Sequence, residues 1–149
     1  MEKLAFKVII EAPKERVWNI IIGKETYPIW TAEFCEGSMV ETDWKAGSKA
    51  LFLDQTNSGM VSIIEESTPY SFLSIKHIGE VKNGVEDTES DQVKSWGGCY
   101  ENYTLEDINN STSWLVEMKV PPEFAIYMKD LWPKAQQKVK ELAEASYQS

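Results

Sequence analysis

A single histidine limits the acid–base chemistry open to this 149-residue chain. His77 is the one side chain here whose ordinary titration falls near neutral pH. A nucleophilic triad needs such a base, so a triad here would have to be built around His77. Leu73, Ile75 and His77 alternate onto one face of their segment and Lys76 takes the other, which turns His77 inward. There it is either a polar anchor or proton carrier in an interior space, or a histidine hydrogen-bonded at a strand end. Glu65 and Glu66 are adjacent, so in a strand they face apart and form no shared acid–base pair. One histidine and two distant cysteines, Cys35 and Cys99, do not supply a closed zinc shell. Gly97-Gly98 is too short for a phosphate-binding loop. The acidic stretch Val85 to Asp91 lacks the glycine and terminal glutamate of a calcium loop, and reads as a mobile, solvated loop. No metal, cofactor or catalytic residue is expected.

The aromatic side chains say more. Six tryptophans, six tyrosines and five phenylalanines are enough to wall a small-molecule pocket. By alternation Trp114, Val116 and Met118 share one face, as do Tyr103 and Leu105. Met128, Trp132 and Ala135 lie on the apolar stripe of the last helix and can meet them, with Trp30 from the N-terminal third. The candidate lining is therefore Trp30, Ile75, His77, Tyr103, Trp114, Val116, Met118, Met128, Trp132 and Ala135. The alternative for each is plain core packing.

These side chains must be positioned by one domain spanning residues 1–149. A net charge of -9 with no basic run repels nucleic acid and anionic membranes. Apolar runs such as Ile20-Ile21-Ile22 are too short to span a bilayer. Met1 to Lys7 lacks the apolar region of a signal peptide, so a cytoplasmic location and reduced cysteines are expected.

Lys3 to Glu11 has strand periodicity. Ala12-Pro13 then opens a helix with Val17, Trp18, Ile20 and Ile21 on its stripe and Gly23 as its stop. Lys24 to Gly37 reads as one or two short helical turns. Strands are expected over Met39–Trp44, Ser48–Asp54, Met60–Glu66, Ser71–Ile78, Gly98–Asp107 and Thr112–Val120, with turn signals between them. Lys82 to Lys94 reads as a polar connection. A helix follows over Glu123–Tyr147, its stripe running from Phe124 through Leu131 to Ala143. Pro133 should kink it near Lys129 or split it.

The opening strand with Ala12-Pro13 and Val17-Trp18 resembles the START-like helix-grip superfamily. Trp30, Trp44-Lys45-Ala46-Gly47-Ser48 and the stretch from Trp96-Gly97-Gly98 to the last helix resemble its branch named for the activator of the Hsp90 ATPase. The resemblance implies an α+β, Bet v 1-like fold in which a curved antiparallel sheet wraps around the long C-terminal helix. It also implies a cavity that takes a small apolar molecule. Two alternatives accompany that reading: a protein that contacts the Hsp90 chaperone, and a cyclase- or hydrolase-like enzyme using His77. Either a monomer or a homodimer fits.

Overall fold

The computed structural model describes residues 1–148. Strand β1 (Glu2–Ile10) leads into α1 (Lys14–Ile22) and the single-turn α2 (Tyr27–Trp30), which runs on into a 3-10 turn at Thr31–Glu33. Strands β2 (Met39–Glu41), β3 (Lys49–Leu53), β4 (Gly59–Thr68), β5 (Phe72–Lys82) and β6 (Val85–Asp87) follow. A short α3 (Asp91–Trp96) precedes β7 (Cys99–Ile108) and β8 (Ser111–Val120), and α4 (Pro122–Gln148) ends the described chain. The sheet is antiparallel in the order β1-β8-β7-β5-β4-β3-β2, with β6 paired to β5.

Local sequence explains most of these elements. Leu4 and Ile10 of β1 are buried and Phe6 and Val8 half-buried, while the residues between them face out or sit at the edge. Pro13 stands immediately before α1, and its carbonyl accepts from Arg16 N (3.0 Å) and Val17 N (3.1 Å). Val17, Trp18, Ile20 and Ile21 bury the predicted stripe. On α4 the buried side chains include Ala125, Trp132, Ala135, Gln136, Val139 and Ala143. Phe124, expected in that stripe, is half exposed at 49%, because Ala125 faces inward on the first turn. The helix is continuous through Pro133, so the expected split is absent.

The connection from Lys82 to Lys94 also departs from expectation. Asn83 (φ 51°) and Gly84 (φ 85°) both take left-handed backbone, the geometry of a two-residue hairpin turn, and so extend β5 into β6. Asp87 Oδ1 then accepts from Glu89 N (3.1 Å) and Ser90 N (3.0 Å), and Ser90 caps α3 by accepting from Val93 N. These acidic and hydroxyl groups fold the chain. The strand expected over Met39–Trp44 ends at Glu41, and Trp44 takes φ 61° in the loop beyond.

Two buried polar side chains fasten α4 and the entry to α1 to the sheet. Gln136 Nε2 donates to Phe6 O (3.2 Å) and Trp114 O (3.3 Å), and Thr112 Oγ1 donates to Ala12 O (2.7 Å). Removing a buried donor pair of this kind costs about 1–3 kcal/mol. Gln136→Leu should therefore lower the unfolding free energy by that amount, read as a lower urea midpoint at an unchanged m-value; an unchanged midpoint would show that the helix is held by apolar packing alone.

Candidate functional site

Strand register places the polar groups. Leu73 pairs with Tyr103 and Ile75 with Glu101 across β5 and β7. Tyr103 pairs with Val116 and Glu101 with Met118 across β7 and β8. All share one face with His77 by alternation. Two bulges disturb the β4–β5 pair, one between Val61 and Ser62 and one between Ile64 and Glu66. At the first, Ile78 is the extra residue on β5, so Val61 opposes Gly79 while Ser62 opposes His77. The bulge thus aims Ser62 Oγ at His77.

The result is a line of polar contacts across three strands. Ser62 Oγ lies 2.7 Å from His77 Nδ1, and His77 Nε2 lies 3.5 Å from Glu101 Oε1. Tyr103 OH donates to Glu101 Oε2. A carboxylate only accepts, so its neighbours assign the imidazole proton to Nε2, with Nδ1 accepting from the Ser62 hydroxyl. Ser62 is fully buried behind the histidine and offers no nucleophile to a ligand. The His77 side chain is 11% exposed and that of Glu101 22%. Burial first, and the Glu101 charge second, push the phenols of Tyr27 and Tyr103 well above the ordinary tyrosine value.

This corner opens into a cavity of ≈ 320 Å³. Six aromatic side chains line it: Tyr27, Trp30, Phe34, Phe52, Tyr103 and Trp132. Met39, Met60 and Met128 line it as well, with Asp54, Cys35 and Ser38 also on its wall. Each wall has a local cause. Pro28 in the first turn of α2 helps fix the roof. Trp30 Nε1 donates to Ile21 O (3.2 Å), and Thr31 Oγ1 to Tyr27 O (2.5 Å). Phe52 pairs with Met60 on adjacent strands. Gly59 allows that approach, because a Cβ there would sit 1.8 Å from Phe52 O.

Of the ten residues predicted to line a cavity, Trp30, His77, Tyr103, Met128 and Trp132 do so. Ile75, Trp114, Val116, Met118 and Ala135 are buried in the core and do not reach it. Trp114 stands edge-on to Trp30 (5.8 Å), Tyr103 (5.7 Å) and Trp132 (6.1 Å), so its neighbours shield it from the space. Its Nε1 is the one buried side-chain polar atom without a hydrogen-bond partner among the described residues. Sequence reasoning missed Glu101, Tyr27, Phe34, Phe52 and Met60. Glu101 could have been found, since it shares the parity of Tyr103 and Leu105.

No family model and no curated protein matches the sequence. Solved structures do. The chain is similar to protein MLL2253 from Mesorhizobium loti, with a TM-score of 0.73 at 13% identity over 97% of this chain and 98% of that one. It is similar to the Aha1 dimer from Colwellia psychrerythraea, with a TM-score of 0.73 at 14% identity over 97% of each. CalU16 from Micromonospora echinospora gives 0.67 at 14% identity, over 95% of this chain and 65% of that one. The chain has the helix-grip fold. At such identities the helix-grip likeness carries architecture, and function must be argued from this cavity's own residues. No described helix is long and apolar enough to cross a membrane.

The two shifted tyrosines make a pH prediction. Their folded values lie above the unfolded value near 10.0, so the native state keeps protons that the unfolded chain gives up. Their contribution to stability is whole below pH 10.0 and is lost as pH rises beyond it. Tyr103→Phe should flatten the alkaline fall in the unfolding midpoint. Phenolate absorbance that titrates fully before unfolding would contradict the burial of both hydroxyls.

Proposed function

We propose that this protein binds a small, largely apolar molecule in the cavity between the curved sheet and α4. The observation that carries the reading is the contrast inside that space: six aromatic walls and one polar corner, His77, Glu101 and Tyr103. Apolar surface supplies affinity at roughly 25 cal/mol per Å² buried, and the few polar groups set orientation. Trp30, His77, Tyr103, Met128 and Trp132 are the contacts carried forward from the sequence, joined by Tyr27, Phe34, Phe52 and Glu101. The methionines let the walls adapt to the outline of a ligand.

A second reading draws on the same corner. His77 lines the cavity between Ser62 and Glu101, and its Nε2 proton, which Glu101 meets only at 3.5 Å, is the one it has to give to a bound molecule as a general acid. On that reading the protein turns its ligand over, and native mass spectrometry would show the ligand mass changing with time in the native chain but not in His77→Gln. The chaperone reading has the likeness to Aha1 as its support. A homodimer is the assembly that fits the likeness to the Colwellia dimer.

The binding reading is tested with the neutral fluorophore N-phenylnaphthylamine. The native chain should bind it saturably. Met128→Trp, which adds bulk from the half-buried helix side of the space, should weaken binding by about tenfold or more with little change in thermal midpoint. Equal affinity in the two proteins would place the probe elsewhere. Native mass spectrometry of freshly purified protein gives an independent measure, through a discrete added mass lost on denaturation.

A further inference from the structure

Charge on the cavity wall narrows the ligand class further. Two carboxylates line the space, Glu101 within it and Asp54 toward its edge, and no lysine or arginine lines it. His77 is the one basic side chain in the lining, and its Nε2 proton is already directed at Glu101. Asp54 accepts from Thr56 N (2.7 Å), Thr56 Oγ1 (2.7 Å) and Ser58 N (3.1 Å), and these bonds hold its carboxyl below the usual range, so it remains ionised. Tyr27 and Tyr103 stay neutral and add no further negative charge.

The Glu101 carboxylate is only partly satisfied. One oxygen takes the Tyr103 hydroxyl, and the other has the imidazole at 3.5 Å, beyond good hydrogen-bond reach. A carboxylate can accept about four hydrogen bonds, so a donor arriving from the cavity finds lone pairs free. The same space is lined by the rings of Tyr27, Trp30, Phe34, Phe52, Tyr103 and Trp132. Aromatic faces attract cations, most strongly where water is displaced. A carboxylate-bearing ligand would meet Glu101 as a like charge with no lysine or arginine on the wall to offset it. The chain's net charge of -9 acts in the same direction during encounter.

From this geometry we infer that the cavity selects an organic cation: an amine with an aromatic or hydrocarbon body, its nitrogen placed against Glu101 among the rings. Fatty acids and other carboxylates are disfavoured by the same charge. This inference rests on the cavity being a ligand site at all, and the experiment separates the two claims.

Naphthylmethylamine, naphthylmethanol and naphthoate share one aromatic body and differ in head-group charge. Each is titrated calorimetrically into the native chain near neutral pH. The amine should bind at least about tenfold more tightly than the alcohol, and the carboxylate should bind weakest. In Glu101→Gln, which keeps the shape and the bond to Tyr103, the amine's advantage should fall to within about threefold. The ranking is read on the native chain, so the test stands even if the variant does not fold. Naphthoate binding as well as the amine, or a preference for the amine that survives in Glu101→Gln, would overturn the inference. Saturable binding of the alcohol with no amine preference would overturn it too, while supporting the cavity as a ligand site. Failure of all three to bind would remove both claims.

Discussion

The structure depends on a mismatch between one helix and a wide concave sheet. α4 packs along β1 and α1, fixed there by Gln136 on the carbonyls of Phe6 and Trp114 and by Arg16 Nε on Ala143 O (2.9 Å). Trp132 fills the space beneath it, stacked on Phe6 and touching Trp30, Phe34, Tyr103 and Trp114. One helix about 10–12 Å wide cannot cover a sheet whose strands are spaced about 4.7–4.9 Å apart across seven positions. The face of β3, β4 and β5 is left for the segment from Tyr27 to Phe34 to roof. That segment is too short to fill what it covers, and the cavity is the remainder.

A space of this kind persists only if its walls are held independently of one another. The aromatic packing does this by pairwise contact: Tyr27 on Trp30, Trp44 and Phe52, and Phe52 in turn edge-on to His77. Trp44 supports Phe52 at 6.2 Å from a backbone at φ 61°, a conformation a bulky L-residue rarely adopts and one that costs on the order of 1–3 kcal/mol. Thr42 Oγ1 accepts from Trp44 N (3.2 Å) and Asp43 Oδ1 from Lys45 N (2.9 Å), so local turns hold the strained residue in place. The strain is stored behind the wall, where the half-buried Trp44 ring backs Phe52.

Much of this was legible from alternation and helical period. β1, the α1 stripe, the inward face of β5 and the α4 core positions all follow from residue types. Alternation tells which side of a sheet a residue takes. It does not tell how far along the sheet the covering helix reaches, which is why Trp114, Val116 and Met118 face inward yet lie under Trp132 and α4, away from the cavity. Tyr27 and Phe34 were hidden for another reason: they line the space from a segment with no period. Glu101 was passed over because charged residues at inward strand positions contradict the usual pattern. The bulge at Ile78 cannot be seen without the partner strand, yet it decides that Ser62 meets His77.

Glu101 is therefore the residue most at odds with fold stability. A carboxylate facing an aromatic interior is expensive unless its lone pairs are met. A leucine paired with Ile75 and Met118 would fill the same position with less cost. The Tyr103 hydroxyl meets one oxygen, and the imidazole approaches the other without closing on it. If stability alone shaped this corner, the cheaper arrangements were a fully bonded carboxylate or none. A half-satisfied one, open to a space large enough for a ligand, is the arrangement in which a bound donor completes the set. The strained Trp44 backbone makes a related point: it costs free energy at a residue that backs Phe52, and Phe52 lines the same cavity as Glu101.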